Sequence, residues 1–124
     1  MNPVRSIIGI VDDDISFREA LAGLVASFSF DAVAFASARE LLQSNELPEL
    51  RCLITDVQMP EMDGLDLQDH IVRTRPDIPI IFVSAHRDPR SRARAMQAGA
   101  LAFLDKPCDG ELLLQHLHTA LAAS

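Results

Sequence analysis

Asp12 and Asp13 stand side by side at the end of one apolar run, "SIIGIV", and a third acid, Asp56, ends another, "CLIT". Adjacent carboxylates repel, so solvent, a cation or a distant part of the chain has to compensate them. Ser84 closes a third run, "IPIIFVS", and Lys106 follows a fourth, "ALAFLD". Lys106 is the only lysine, beside ten arginines. A role for a compact ammonium accounts for that, and so does a general bias toward arginine. Carboxylates around a hard divalent cation, with a hydroxyl and an ammonium close by, suit phosphoryl transfer. One carboxylate attacks as nucleophile and forms an acyl phosphate. The cation (Mg²⁺, or Mn²⁺ in its place) and the ammonium offset charge on the phosphoryl oxygens. Asp56 is the candidate nucleophile, with the acid pair on one side and Lys106 on the other. In a blander reading, acids after strands only open a loop and cap the next helix. That suits Asp14, read here as the start of the first helix. It leaves unexplained why polar groups gather at matching strand ends.

For these residues to meet, strands and helices must alternate around a parallel sheet, whose chemistry gathers beyond the carboxyl ends of its strands. The pattern predicts strands over Ser6–Val11, Asp31–Ala36, Cys52–Val57, Asp77–Ser84 and Ala100–Asp105. The second strand is the weakest and reads as an edge. Helical spacing of Phe17, Leu21, Leu24, Val25 and Phe28 predicts a helix over Ile15–Phe28. "SARE" is a capping box for a short helix through Leu42. A helix over Leu65–Arg73 puts Leu67 and Ile71 on one face. Asp88 and Pro89 open the next, which Gly99 ends. Asp109 caps a last helix that offers Leu112, Leu113, Leu117 and Leu121 to the core. The expected fold is α/β: a doubly wound, five-stranded parallel sheet, with residues 1–124 as one domain.

The bulk numbers agree with one folded domain. The chain has 124 residues, 48% hydrophobic and 23% charged, so disorder is not expected. A net charge of −7 argues against direct nucleic-acid binding. No apolar run has the length of a membrane span, and "MNPVRS" lacks a signal-peptide pattern, so a cytoplasmic location is expected. Cys52 and Cys108 read as small hydrophobes. A GxxxxGK[ST] loop is missing, so a nucleotide-binding P-loop is not indicated.

Four motifs in order resemble the receiver domain of bacterial two-component response regulators: "IVDDD", "DVQMPEMDG" (Asp56 to Gly64), "VSAH" and "DKP". The resemblance covers essentially the whole chain and implies a flavodoxin-like sheet of order 2-1-3-4-5. It implies that Asp56 accepts a phosphoryl group from the phosphohistidine of a sensor histidine kinase. Asp13 and Asp56 would hold Mg²⁺ directly, Asp12 would act through water, and the Gln58 backbone carbonyl would complete the protein ligands. Ser84, the Ala85 N–H and Lys106 would contact the phosphoryl oxygens, and the Lys106–Pro107 bond would be cis. Ser84 and Phe103 would form the switch: Ser84 moves toward the phosphate, and Phe103 turns inward to remodel the face of helix 4, strand 5 and helix 5. Gln58 and His86 would tune the phosphorylated lifetime. Such a domain catalyses its own phosphorylation and dephosphorylation, as a signalling switch rather than a turnover enzyme.

Three positions depart from the family pattern. Ser84 stands where Thr is frequent, Phe103 lacks a hydroxyl, and Cys108 follows Lys-Pro where Phe is common, which loosens an aromatic contact. His70, His116 and His118 lack metal-ligand spacing and read as surface or boundary residues. Met59, Met62 and Met96 read as packing and loop-anchoring groups. Arg87, Arg90, Arg92 and Arg94 form either a solvated face or a surface for a dimer mate or output domain. "IPIIFVSAHRD" and "AMQAGALAFLDKP" look most like receivers attached to LuxR-type helix-turn-helix outputs. The expected partners are therefore a histidine kinase, an output domain (DNA-binding, controlling transcription) or target protein, and a phosphorylation-dependent homodimer through helix 4, strand 5 and helix 5. The stop just after the last helix is read as favouring a fragment over a stand-alone receiver. Two other readings stay open. One is a receiver-like interaction module that works without phosphorylation. The other is a haloacid-dehalogenase-type phosphohydrolase, which wants a second Asp where Gln58 stands.

Overall fold

The computed structural model describes residues 7–122, so the expectations for Met1–Ser6, Ala123 and Ser124 lie outside the described residues. Strands and helices alternate as β1 (Ile7–Val11), α1 (Ile15–Ser27), β2 (Asp31–Phe35), α2 (Ala38–Leu42), β3 (Leu50–Thr55), α3 (Gly64–Thr74), β4 (Ile80–Ser84), α4 (Pro89–Gln97), β5 (Ala102–Asp105) and α5 (Gly110–Ala122). A 3₁₀ turn, Leu47–Glu49, precedes β3. All strand pairs are parallel, in the order β2-β1-β3-β4-β5, so β2 is an edge as expected.

Alternation along each strand feeds two cores, one on each face of the sheet. Ile7, Val11, Leu53 and Phe82 pack with Leu41, Leu67, Ile71 and Ala95, the side of α2, α3 and α4. Ile8, Ile10, Ile54, Ile81 and Val83 pack with Leu21, Val25, Leu113 and Leu117, the side of α1 and α5. A buried aliphatic or aromatic side chain of this size contributes roughly 1.5–3 kcal/mol, so both layers contribute to holding the sheet together. Leu112 departs from expectation: it is 40% exposed, because the stripe on α5 runs through Leu113 and Leu117 instead. Met96 also turns outward, whereas Met59 and Met62 pack against the first core.

The element ends differ from the sequence reading where backbone hydrogen bonds compete. β4 starts at Ile80 rather than Asp77, because the Ile78 N–H turns back to the Arg75 carbonyl and Pro79 has no N–H to give. β5 starts at Ala102, since the Ala100 N–H closes the end of α4 on the Ala95 carbonyl. β3 begins at Leu50, two residues before Cys52, and ends at Thr55, which leaves Asp56 just beyond it. Phe28 caps α1 instead of extending it. The predicted starts hold: Asp14, Ser37 and Asp88 each accept backbone N–H groups at the first turns of α1, α2 and α4, and Asp109 does so for α5.

Candidate functional site

The carboxyl ends of β1, β3 and β5 converge. The Asp56 N–H donates to the Val11 carbonyl at 3.1 Å, which seats β3's end on β1. The Lys106 N–H donates to the Ser84 carbonyl at 2.9 Å, which seats β5's end on β4. Asp12 is 2% and Asp56 7% exposed, while Asp13 faces solvent. One carboxylate oxygen from each of the three lies within 4.8 Å of the others. Among the described residues this is the one group of three or more acids, histidines or cysteines with that closeness.

Lys106 reaches into the cluster. Its Nζ donates to Asp12 Oδ2 at 2.8 Å and to Asp56 Oδ2 at 3.1 Å. The contact to Asp56 follows from the sequence reading; the shorter one to Asp12 does not. Asp56 Oδ1 accepts the Val57 N–H at 2.7 Å. Both oxygens are therefore oriented, yet each keeps a second lone pair for a cation or for phosphorus. Asp12 Oδ1 accepts the Asp14 N–H at 2.9 Å, and Arg18 Nη1 donates to the Asp12 carbonyl at 2.8 Å.

Burial is the main cause that lifts the Asp56 carboxyl above its ordinary pKa; the Asp12 charge adds to it, and Lys106 works against both. Burial alone pulls the Lys106 ammonium down, but hydrogen bonds and charge from Asp12 and Asp56 more than reverse that and hold it above its ordinary value. The site carries three acids against one ammonium, with an all-oxygen donor set. That is the chemistry of a hard cation such as Mg²⁺ or Mn²⁺, and the donors present fit one.

The end of the loop after Asp56 accounts for the Asp63 and Gly64 of its motif. Asp63 caps α3 by accepting the Asp66 N–H at 2.8 Å. The Gly64 N–H donates to the Val57 carbonyl at 2.7 Å. A Cβ on Gly64 would lie 2.0 Å from the Asp56 carbonyl oxygen, so only glycine lets α3 begin this close to Asp56. Thr55, fully buried, donates its hydroxyl to that same carbonyl at 2.9 Å.

Other predicted site residues sit around this centre in varied states. Ser84 is buried, and its Oγ accepts the His86 N–H at 3.1 Å, so the hydroxyl is held by its own loop. Ala85, His86 and Gln58 are exposed. Gln58 lines an open groove of about 490 Å³ with Val57, Met59, Pro60, Asp63 and Ser91. Phe103 is already inward: it is 7% exposed and stacks on Phe82 with centroids 5.6 Å apart. The inward turn expected on activation therefore starts from a ring that is inside. The Lys106–Pro107 bond is cis. Cys108 is half-buried, packed against the α1 and α5 side.

Arg92 and Arg94 of α4, and Arg87 in the loop before it, lean on their own chain. Arg94 pairs with Asp69 at 2.7 Å, Arg92 donates to the Phe103 carbonyl at 3.3 Å, and Arg87 lies 3.9 Å from Asp105. Sequence reasoning also missed Phe17 at the site. Its ring centroid is 4.2 Å from Lys106 Nζ. The only signal for it was its place on the apolar stripe of α1, which points to the core and not to a cation.

With this geometry in place, comparison with known proteins defines the class. Residues 8–118 match the response regulator receiver domain family, and the chain belongs to it. It is 46% identical over 110 residues to Nodulation protein W of Bradyrhizobium diazoefficiens, covering 88% of this chain and 48% of that protein. It is 45% identical over 123 residues to the response regulator protein TmoT of Ectopseudomonas mendocina, covering 98% and 55%. The solved response regulator receiver protein from Pseudomonas putida superposes with a TM-score of 0.87 at 32% identity, covering 95% of this chain and 99% of that one. The chain thus spans about half the length of these full-length relatives. Neither relative's name specifies a LuxR-type output, so the likeness supports the receiver and not that narrower class.

Proposed function

We propose that this receiver takes a phosphoryl group onto Asp56 from the phosphohistidine of a sensor histidine kinase. The observation that carries this reading is the buried Asp56 carboxylate with the Lys106 ammonium 3.1 Å from its Oδ2 and the Asp12–Asp13 pair beside it. In the reaction an Asp56 oxygen forms a bond to phosphorus, the P–N bond breaks, and the imidazole leaves; the product is an acyl phosphate. Lys106 offsets the charge gathering on the phosphoryl oxygens and orients Asp56 before attack. Asp13 and Asp56 would hold Mg²⁺, with Asp12 through water and the Gln58 carbonyl as the further ligand. When bound, the cation supplies charge neutralisation at the phosphoryl oxygens.

Ser84 and the Ala85 N–H are the remaining phosphoryl contacts. For Ser84 to make its contact, the hydroxyl turns its proton from the His86 carbonyl, 3.5 Å away, to a phosphoryl oxygen, and its Oγ can go on accepting the His86 N–H. Because Phe103 already lies inward, phosphorylation would hold the ring there rather than bring it in, a shift of population between existing states. Arg92, bonded to the Phe103 carbonyl and 6.0 Å from its ring centroid, would carry that bias to α4. Gln58 and His86, exposed beside the site, would set the lifetime by controlling water. The signal then passes through the α4, β5 and α5 face to a DNA-binding output, a target protein or a second copy. The roughly half of each relative's length that this chain does not span is where an output would sit. The whole chain, residues 1–124, is read as one such domain, working in the cytoplasm; among the described residues no helix is long and apolar enough to cross a membrane.

Incubation with acetyl phosphate and Mg²⁺, read by intact mass, tests the reading. One phosphoryl adduct is expected on the unsubstituted protein and none on Asp56→Asn. No adduct on either, with α4 and β5 still docking a partner, would favour the phosphorylation-independent module.

A further inference from the structure

An ammonium has three N–H donors, and two of Lys106's go to Asp12 and Asp56. The face of Phe17 lies 4.2 Å from the same nitrogen, well inside the distance at which a ring's negative face attracts a cation. We propose that Phe17 is a positioning residue for phosphoryl transfer: its ring holds the Lys106 ammonium at the reacting carboxylate while Lys106 exchanges its oxygen partners. The inference rests on the phosphoryl-transfer reading above and adds to it the aromatic wall.

Three features fix the ring where it can act. The Phe17 N–H donates to Asp14 Oδ1 at 3.3 Å, in the capped first turn of α1. Arg18, the next residue, donates to the Asp12 carbonyl at 2.8 Å, which ties that turn to the acid loop. The ring itself is half-buried against the α1 and α5 core. Phe17 therefore moves with Asp12 and not with Lys106's flexible stem. During transfer Lys106 has to give up a carboxylate oxygen and take a phosphoryl oxygen. A contact to a π-face involves no oxygen, so it persists through that exchange and keeps the ammonium from swinging into solvent. A leucine of similar bulk would shield the nitrogen without attracting it.

The test separates attraction from packing. Phe17 is replaced in the full chain by mono-, di- and trifluorinated phenylalanine, which weaken the ring's negative face at nearly constant shape, and by Leu and Trp. The first readout is the rate constant for Asp56 labelling by acetyl phosphate with Mg²⁺. The second, on unlabelled metal-free protein, is the ring-current shift of the Lys106 ε-methylene protons. The expected result is a stepwise fall in rate with each fluorine, a loss of about three- to tenfold for Phe17→Leu, and recovery in Phe17→Trp. The ε-methylene protons lie upfield in the unsubstituted protein and move downfield in Phe17→Leu. Equal rates across the fluorinated series, or ε-methylene protons at an ordinary shift, would overturn the role of Phe17 while normal labelling leaves the reading of Asp56 intact. Absence of label on the unsubstituted protein would instead remove that reading, and Phe17's role with it.

Discussion

Asp56 is buried more deeply than its charge favours, and the consequence has a definite sign. Its pKa in the folded state is raised above the ordinary 3.8, so folding favours its protonated form. Stability from this group is fully present below 3.8 and is lost as pH rises through the raised value. At neutral pH without metal the ionised carboxylate is therefore a net cost. Asp56→Asn is expected to raise the urea midpoint at pH 7, with the gain shrinking toward zero below pH 3.8; a gain independent of pH would contradict this. Gly64 makes a second prediction. The Cβ of Gly64→Ala needs the space of the Asp56 carbonyl, so the variant should lose about 1–3 kcal/mol of stability and label far more slowly than its remaining fold explains. Equal labelling rates would show that the loop adapts. At this scale the acids, Ser84 and Lys106 were legible because a polar residue ending an apolar run is conspicuous. The Lys106–Asp12 contact and Phe17 were not. Both depend on side-chain reach across elements, which spacing along one element does not encode.

Among the elements, α4 leans on polar contacts to its neighbours. Its apolar share is small: Ala95 is its one buried residue. Gln68 of α3 donates to the Ala95 carbonyl at 2.9 Å, while its own Oε1, buried, has no protein partner among the described residues. The Ala95 carbonyl also accepts the Ala100 N–H at 3.0 Å, so it stays satisfied without Gln68. Gln68→Leu is thus expected to be neutral or stabilising, since it removes an orphaned oxygen; a loss above about 2 kcal/mol by urea unfolding would contradict it. Arg94→Ala breaks only half-exposed pairs with Asp66 and Asp69, and should cost about 0.5 kcal/mol. Helix starts were legible from Asp14, Ser37, Asp88 and Asp109, because a cap is a local event. The starts of β3, β4 and β5 were not, because they are set by which neighbour strand or turn claims each N–H.

For the molecule as a whole, alternation of strand and helix made the α/β class legible, while the resemblance supplied the strand order. Two apolar layers clamp a sheet whose carboxyl rim collects three acids, and packing on both faces works against their repulsion. A divalent cation should relieve that repulsion and bind the folded state alone. Mg²⁺ at a hundred times its dissociation constant is then expected to stabilise by about 2.7 kcal/mol. The rise in Tm should be lost in Asp13→Ala; an equal rise in the variant would place the cation elsewhere. The most direct measurement is the location of the label. After phosphorylation by acetyl phosphate, borohydride reduction converts an acyl-phosphorylated aspartate to homoserine, and peptide mass reads its position. A receiver acting through Asp56 gives homoserine at position 56 alone. Homoserine at position 12 or 13, or an unreduced protein that never took up phosphate, would contradict it.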